Sequence, residues 1–280
     1  QAGRRGDGGS NTNAASDFRT VKALLLNGAV KPAQWMNIPP SPLDYTNGAG
    51  VLNVFNSYEQ LAAGKYAWNF STNVPIGTAH PPVVISASVP VLSGWDFNTN
   101  NSRSTKDGVN HYFFNVTNGV SGSGFTLTTT LVWNRHQTNS AINILELYLY
   151  NTANSNLVAA STSVVDNVQH VFVRQLPQGR YDLQVWKAGG SGIVSTNESY
   201  ALAWEIVSEF LKVKESGANL VFSWPIYPAG YTVAGASSLT TPIVWSTNGI
   251  PEPVIINSQN VVTVPQNNSV QLFRLQTPNF

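Results

Sequence analysis

Histidine is the side chain here with the widest chemistry, and there are four: His80, His111, His136 and His170. No two stand at i and i+4, and no His-Glu-x-x-His is present, so a helix-borne zinc site is not encoded. His80 precedes Pro81-Pro82 and reads as a loop residue. His111 and His170 open predicted strands, and His136 falls in the turn after Trp133. Each therefore reads as a surface or hydrogen-bonded structural histidine. A Ser-His-Asp hydrolase holds its serine at a sharp turn beside oxyanion donors. No Gly-x-Ser-x-Gly occurs, and the "GGS" (8–10) and "GGSG" (189–192) stretches read as flexible loops. An exposed triad around His111, His136 or His170 would nevertheless make the chain a hydrolase on a β scaffold.

The acids point to a different chemistry. Paired carboxylates could hydrolyse glycosides only by converging in a cleft, and the 14 acidic residues are scattered along the chain. Glu146, in an otherwise apolar strand, and the Asp166-Asn167 pair before another strand are the candidate hard-oxygen ligands for Ca²⁺. Asp182 is the third acid in a strand context. The plainer reading of Asp166 and Asn167 is a turn closed by their own side chains. Beyond Ca²⁺, no cofactor is implied. Arg5-Gly6-Asp7 is an adhesive tripeptide that also arises by chance in Gly-rich loops. Eight tryptophans could build a sugar-stacking platform, although aromatics on alternating strands usually enter the core.

These residues must be positioned by β structure. After about Ala67 the chain turns to period two: "HYFFNV" (111–116), "GFTLTTTLVW" (124–133), "INILELYLY" (142–150), "HVFVRQL" (170–176), "RYDLQVW" (180–186) and "YALAWEI" (200–206). Short strands without helices between them predict an antiparallel sandwich or jelly roll. Before them stands "DFRTVKALLLNGAV", a predicted helix over 17–29. Ser16 or Asp17 can cap it, and Phe18, Val21, Leu24, Leu25 and Ala29 form one apolar stripe. A second helical pattern runs from Val54 to Ala63. "KVKESGAN" (212–219) reads as a linker to a small terminal β unit, where Trp224, Tyr231, Trp245 and Phe273 supply core area.

The fold class is therefore mainly β: an antiparallel, jelly-roll-like sandwich with a short N-terminal helical segment and a second small C-terminal β-sandwich. The boundaries are a flexible arm at 1–16, a helical segment at 17–66, the sandwich at 67–213 and the terminal unit at 214–280. Only 10% of residues are charged and the net charge is +1, which removes the electrostatic footprint of a nucleic-acid or anionic-membrane binder. With no cysteine, disulfides and thiolate sites are excluded. An Asn/Ser/Thr-rich surface without cysteine fits a bacterial protein that is secreted. An exported composition without an export signal suggests a processed or truncated product.

With those residues in view, "VKALLLNGAVKPAQW" and "PLDYTNGAGVLNVFNSYEQLAAGK" resemble the end of the catalytic domain of secreted subtilisin-like serine peptidases. The resemblance covers residues 17–65. It implies that the helix packs on an upstream α/β core whose catalytic serine lies in a Gly-Thr-Ser motif. That motif and the catalytic Asp and His are absent, so no residue inherits a catalytic role. "GWDFN", "LELYLYN", "LPQGRYDLQVWK" and "SYALAWEI" are similar to the β-sandwich that follows such domains, in the manner of P-domains and pre-peptidase C-terminal modules. Asn143 and Glu146 lie near where relatives carry an acidic "DLDLY" strand, a departure that weakens an inherited Ca²⁺ site. The last unit looks like a small β module recurrent at the C-termini of secreted proteins from Verrucomicrobia-like and planctomycete-like bacteria. The implied partners are the upstream catalytic domain or chain and a protein substrate. The rival reading is a carbohydrate-binding or adhesive module.

Overall fold

The structure is a computed structural model. It describes all residues except 33, 68–69, 79–81, 83–87, 118–123, 136–141, 192, 209–210, 226–230, 257–258, 268–270 and 277–280. His80 and His136 thus lie outside the described residues. The helices are Ala2–Arg5 (α1), Thr12–Ala15 (α2), Phe18–Asn27 (α3) and Val54–Ala63 (α4). Nine strands follow: Phe70–Pro75 (β1), Ser93–Asn101 (β2), Lys106–Val116 (β3), Phe125–Trp133 (β4), Leu145–Asn151 (β5), Leu157–Ser161 (β6), Val168–Leu176 (β7), Gly179–Lys187 (β8) and Asn197–Ser208 (β9).

These strands form two antiparallel sheets. One has the order β2-β9-β4-β7 and the other β1-β3-β8-β5-β6. Leaving out β1, this is the paired order of an eight-stranded jelly roll, with β1 added at the edge beside β3. Alternation decides which side chains meet between the sheets. Leu145, Leu147 and Leu149 of β5 face inward with Tyr181, Leu183 and Val185 of β8, against Leu127, Leu131, Trp133, Leu202 and Trp204 of the opposite sheet. Each large apolar side chain removed from water contributes roughly 1.5–3 kcal/mol, so this layer dominates the stability of the fold.

The helical segment covers the outer face of the β2-β9-β4-β7 sheet. Asp17 caps α3, accepting from the Arg19 N–H at 2.9 Å, and Asn53 caps α4, accepting from the Asn56 N–H at 3.0 Å. Gly28 lets the two helices approach: a Cβ there would stand 2.5 Å from Ser57 Oγ. Residues 1–16 are not a flexible arm. They fold as α1 and α2, and Ala14 and Ala15 are buried with Ala23, Leu24, Leu61, Trp95, Ala201 and Ala203. The apolar stripe on α3 also sits differently from expectation. Thr20, Ala23, Leu24 and Asn27 turn inward, while Phe18 and Val21 are 63% and 43% exposed.

The terminal unit begins earlier than a linker at 212–219 would allow. Lys212–Ser216 (β10) and Asn219–Pro225 (β11) form a hairpin, so Lys212 and Val213 already belong to the second unit. Thr232–Ala236 (β12), Val254–Ile256 (β13), Gln259–Pro265 (β14) and Leu272–Gln276 (β15) complete it as two sheets, β10-β11-β14-β13 and β12-β15. Its core is Phe222, Trp224, Val233, Val262 and Val264, with Tyr231 and Phe273 packed on it. Trp245 instead lies under the Arg274 guanidinium, 4.5 Å from ring centre to charge.

Candidate functional site

Two surfaces gather the polar and aromatic groups, one on each sheet's outer side. The first is the contact between the helical segment and the β2-β9-β4-β7 sheet. Asn27 Nδ2 donates to Gln60 Oε1 at 3.0 Å, and Asn27 Oδ1 accepts from Thr128 and Thr130 at 3.2 and 3.0 Å. Asn56 and Gln60 donate to Glu205 Oε2 at 3.2 and 3.3 Å. His170 Nδ1 lies 2.8 Å from Thr130 Oγ1. If the Thr130 hydroxyl gives its one proton to Asn27, it must accept from Nδ1–H, which assigns the neutral Nδ1 tautomer. Burial holds the His170 pKa well below the usual histidine value, with the Lys31 charge acting in the same direction.

Lys31 is enclosed on this side of the segment. Its Nζ donates to the Ala49 carbonyl at 2.7 Å and lies 5.2 Å from the centre of the Trp35 ring. Burial lowers its pKa to about 7 and the Glu205 charge opposes that shift. Burial likewise pushes the Glu205 carboxyl up to about 7, against the amides that donate to it. Apart from the buried Leu24 and Leu61, most large apolar groups of both helices point the other way. Val54 and Phe55 of α4 are 63% and 48% exposed, and Tyr58 is exposed beside them. A groove of about 430 Å³ runs between them, lined by Ala2, Val21, Leu25, Val54, Tyr58 and Leu61.

The second surface is the outer face of the β1-β3-β8-β5-β6 sheet. Register sets three rows of side chains across it: Val109, Trp186 and Glu146; His111, Gln184 and Tyr148; Phe113, Asp182 and Tyr150. His111 Nδ1 lies 2.8 Å from Asp182 Oδ2, and its Nε2 lies 3.0 Å from Thr72 Oγ1 on β1. Gln184 Nε2 also donates to Asp182 Oδ2, at 2.9 Å. Tyr148 donates to Glu146 Oε2 at 2.8 Å, and its ring lies 5.3 Å from Trp186 and 6.2 Å from Tyr150. Glu146, Tyr148, Tyr150 and Trp186 are partly exposed. Burial raises the Glu146 pKa above the ordinary carboxylate value, and nearby Asp107 adds to it.

Thr72, His111 and Asp182 have the order of a nucleophile, base and orienting carboxylate. Their setting is structural. Thr72 sits in the middle of a strand whose register with β3 runs unbroken from Phe70 to Pro75. An oxyanion cradle needs N–H groups converging at a sharp turn beside the nucleophile, and this straight strand is no such turn. His111 is buried and stacks on Phe113 at 5.8 Å. The arrangement ties the edge strand to the sheet.

The proposed Ca²⁺ ligands are engaged separately. Glu146 accepts from Tyr148, Asp166 accepts from Ser163 Oγ at 2.6 Å, and Asn167 donates to the Trp133 carbonyl at 2.8 Å. Among the described residues no three of His, Asp and Glu come together in a way that could hold a metal. Arg5 and Asp7 pair with each other at 3.0 Å across Gly6. Sequence reading singled out Glu146 and Asp182 but missed Tyr148, Tyr150 and Trp186 as a set. The available signal was the alternation of Tyr148 and Tyr150 with Leu145, Leu147 and Leu149, and of Trp186 with Leu183 and Val185, which places all three opposite the core.

No family model matches the chain, and no curated protein matches it. Among solved structures it is similar to CBM51 from Clostridium perfringens GH95, determined in complex with methyl-galactose. That match has 15% identity and a TM-score of 0.26, covering 50% of this chain and 94% of the other. It is also similar to the Ruminococcus gnavus β-glucuronidase in complex with uronic isofagomine, at 7% identity and a TM-score of 0.21. Here 60% of this chain is covered, and it spans 32% of the enzyme. Similarity at this level carries no functional argument. No helix among the described residues is long and apolar enough to cross a membrane.

Proposed function

We propose that this chain is a non-catalytic binding module, a jelly-roll sandwich seated against a larger protein through its helical segment. The observation that carries this reading is the orientation of α3 and α4. Beside Ala23, Leu24 and Leu61 they bury the polar Thr20, Asn27, Asn56, Ser57 and Gln60, and they leave Phe18, Val21, Val54, Phe55 and Tyr58 outside. A helix with water on its outer side keeps most of its large apolar groups inward, whereas here only Leu24 and Leu61 are buried, and a contiguous apolar patch of this kind marks an interaction surface. The resemblance of residues 17–65 to the end of a subtilisin-like catalytic domain supplies the larger body. The sandwich then stabilises a secreted serine peptidase or positions its protein substrate. Expression of the polypeptide together with whatever its gene encodes ahead of Gln1 tests this. Amide exchange over α3 and α4 is expected to slow at least tenfold relative to the present chain, and equal exchange rates would sink the docking. The chain by itself is expected to leave casein intact. Hydrolysis abolished by a serine-directed inhibitor would show that it is catalytic.

A second reading, a carbohydrate-binding or adhesive module, is favoured by a separate observation. Tyr148, Tyr150 and Trp186 stand partly exposed together on the opposite sheet. The two readings use different faces and are compatible.

A further inference from the structure

We propose that the outer face of the sheet between β5 and β8 binds a neutral pyranose sugar, with Tyr148, Tyr150 and Trp186 as the stacking shelf and Glu146 as a hydroxyl acceptor. The inference rests on the carbohydrate-binding reading and gives it a site and a ligand class. Tyr148 and Tyr150 project from alternate positions of one strand, and their rings are 6.2 Å apart and within 23° of parallel. Trp186 adds a third ring at 44° to Tyr148. Together they offer a surface on the scale of one sugar ring, whose C–H face is apolar and whose rim is polar. Aromatic residues with a polar handle suit such amphipathic ligands.

The rim has acceptors. Glu146 lies directly across from Trp186, and an ionised carboxylate has about four acceptor positions. The Tyr148 hydroxyl fills one of them. Behind the shelf, Asp182 is fully buried across from Tyr150. Its Oδ2 accepts from Gln184 and pairs with His111, while Oδ1 has no hydrogen-bond partner among the described residues. A buried carboxylate oxygen left without a donor is costly, so the strand beneath the shelf carries an acidic group held at a cost. The same carboxylates select by charge. Asp107 acts on Glu146 and Asp182 on Tyr150 as negative neighbours, while the Arg180 guanidinium lies beyond them over Phe113, so the shelf beside Glu146 favours a neutral sugar over uronic or sialic acids.

The test is isothermal titration of the chain with neutral oligosaccharides containing glucose, galactose, mannose, xylose or fucose, and with uronate-containing oligosaccharides as the contrasting arm. Binding is expected in the neutral arm, weakened at least tenfold by Trp186→Ala or Tyr148→Ala and severalfold by Glu146→Gln. Tyr148→Phe, which keeps the ring and removes only the bond to Glu146, guards against unfolding and should lose less than Tyr148→Ala. Neutral-sugar binding unmoved by every variant would overturn this site and leave the carbohydrate-binding reading standing. Binding confined to uronates would overturn the ligand class. Silence with every sugar would overturn the reading and the site together.

Discussion

The half-buried Glu205 and the buried Lys31 show what ionisable groups do at this contact. The Glu205 carboxyl titrates at about 7, above its ordinary value, so the folded chain holds a proton there that the unfolded chain has released. A raised folded pKa gives stability that is complete at low pH and is lost as pH rises towards 7. Lys31 titrates at about 7, below its ordinary value, so its contribution is lost as pH falls towards 7 from the alkaline side. His170, held neutral, loses its contribution as pH falls below the usual histidine value. As pH rises above 7 Glu205 gains its charge while Lys31 gives up its own. Glu205→Gln keeps an oxygen to accept from Asn56 and Gln60. It is expected to raise unfolding free energy at pH 8 by on the order of 1–2 kcal/mol and to change little at pH 5. Urea unfolding at both pH values measures this. An equal effect at the two pH values would show that the Glu205 charge does not weaken the contact.

Helices α3 and α4 divide their substitutions by face. Phe18→Ser and Phe55→Ser lie on the outer side and are expected to change the stability of the chain by no more than about 0.5 kcal/mol. Gly28→Ala places a Cβ 2.5 Å from Ser57 Oγ and is expected to cost about 1–3 kcal/mol by forcing the helices apart. Thermal unfolding of the three variants decides it, and a larger loss at Phe55 than at Gly28 would reverse the assignment of faces. The helices themselves were legible: the Asp17 cap and the span from Val54 to Ala63 are as the pattern indicates. Their facing was not, because the inference from stripe to core assumes water on the other side. The strands with an inward Leu, Val or Trp at every second position were readable for the same reason that they fold. β2, "SGWDFNTNN", enters through the resemblance and not through the period-two pattern, because its second half is Asn-rich and Trp95 and Phe97 point to the helices rather than between the sheets. β10, exposed along its whole length, has no buried face to announce it. The candidate sugar site was half legible: its acids stood out, and its aromatics were indistinguishable by type from core residues.

At the scale of the whole molecule, the uncovered apolar patch has to reach some surface. Without a larger protein, the chain is expected to associate with itself at tens of micromolar and to bind an apolar dye. The triple substitution Val21→Ser, Val54→Ser, Phe55→Ser is expected to restore a monomer with the same Tm to within a few degrees. Sedimentation velocity across a concentration series measures both. A parent chain that stays monomeric and ignores the dye would mean that the patch is no interface.

The sheets of the sandwich lie back to back, roughly 10 Å apart as packed sheets do. The helical segment covers the outside of one, and the aromatic row stands on the outside of the other. Whatever is held by one face is therefore kept at a fixed and short distance from whatever is held by the other, with no flexible tether between them. Rigid bivalency of that kind turns a weak capture step into a high local concentration. If both proposed faces are occupied as proposed, a sugar contact too feeble to matter alone would hold the joined protein on a glycan-coated surface, and its benefit would vanish once the substrate was free in solution.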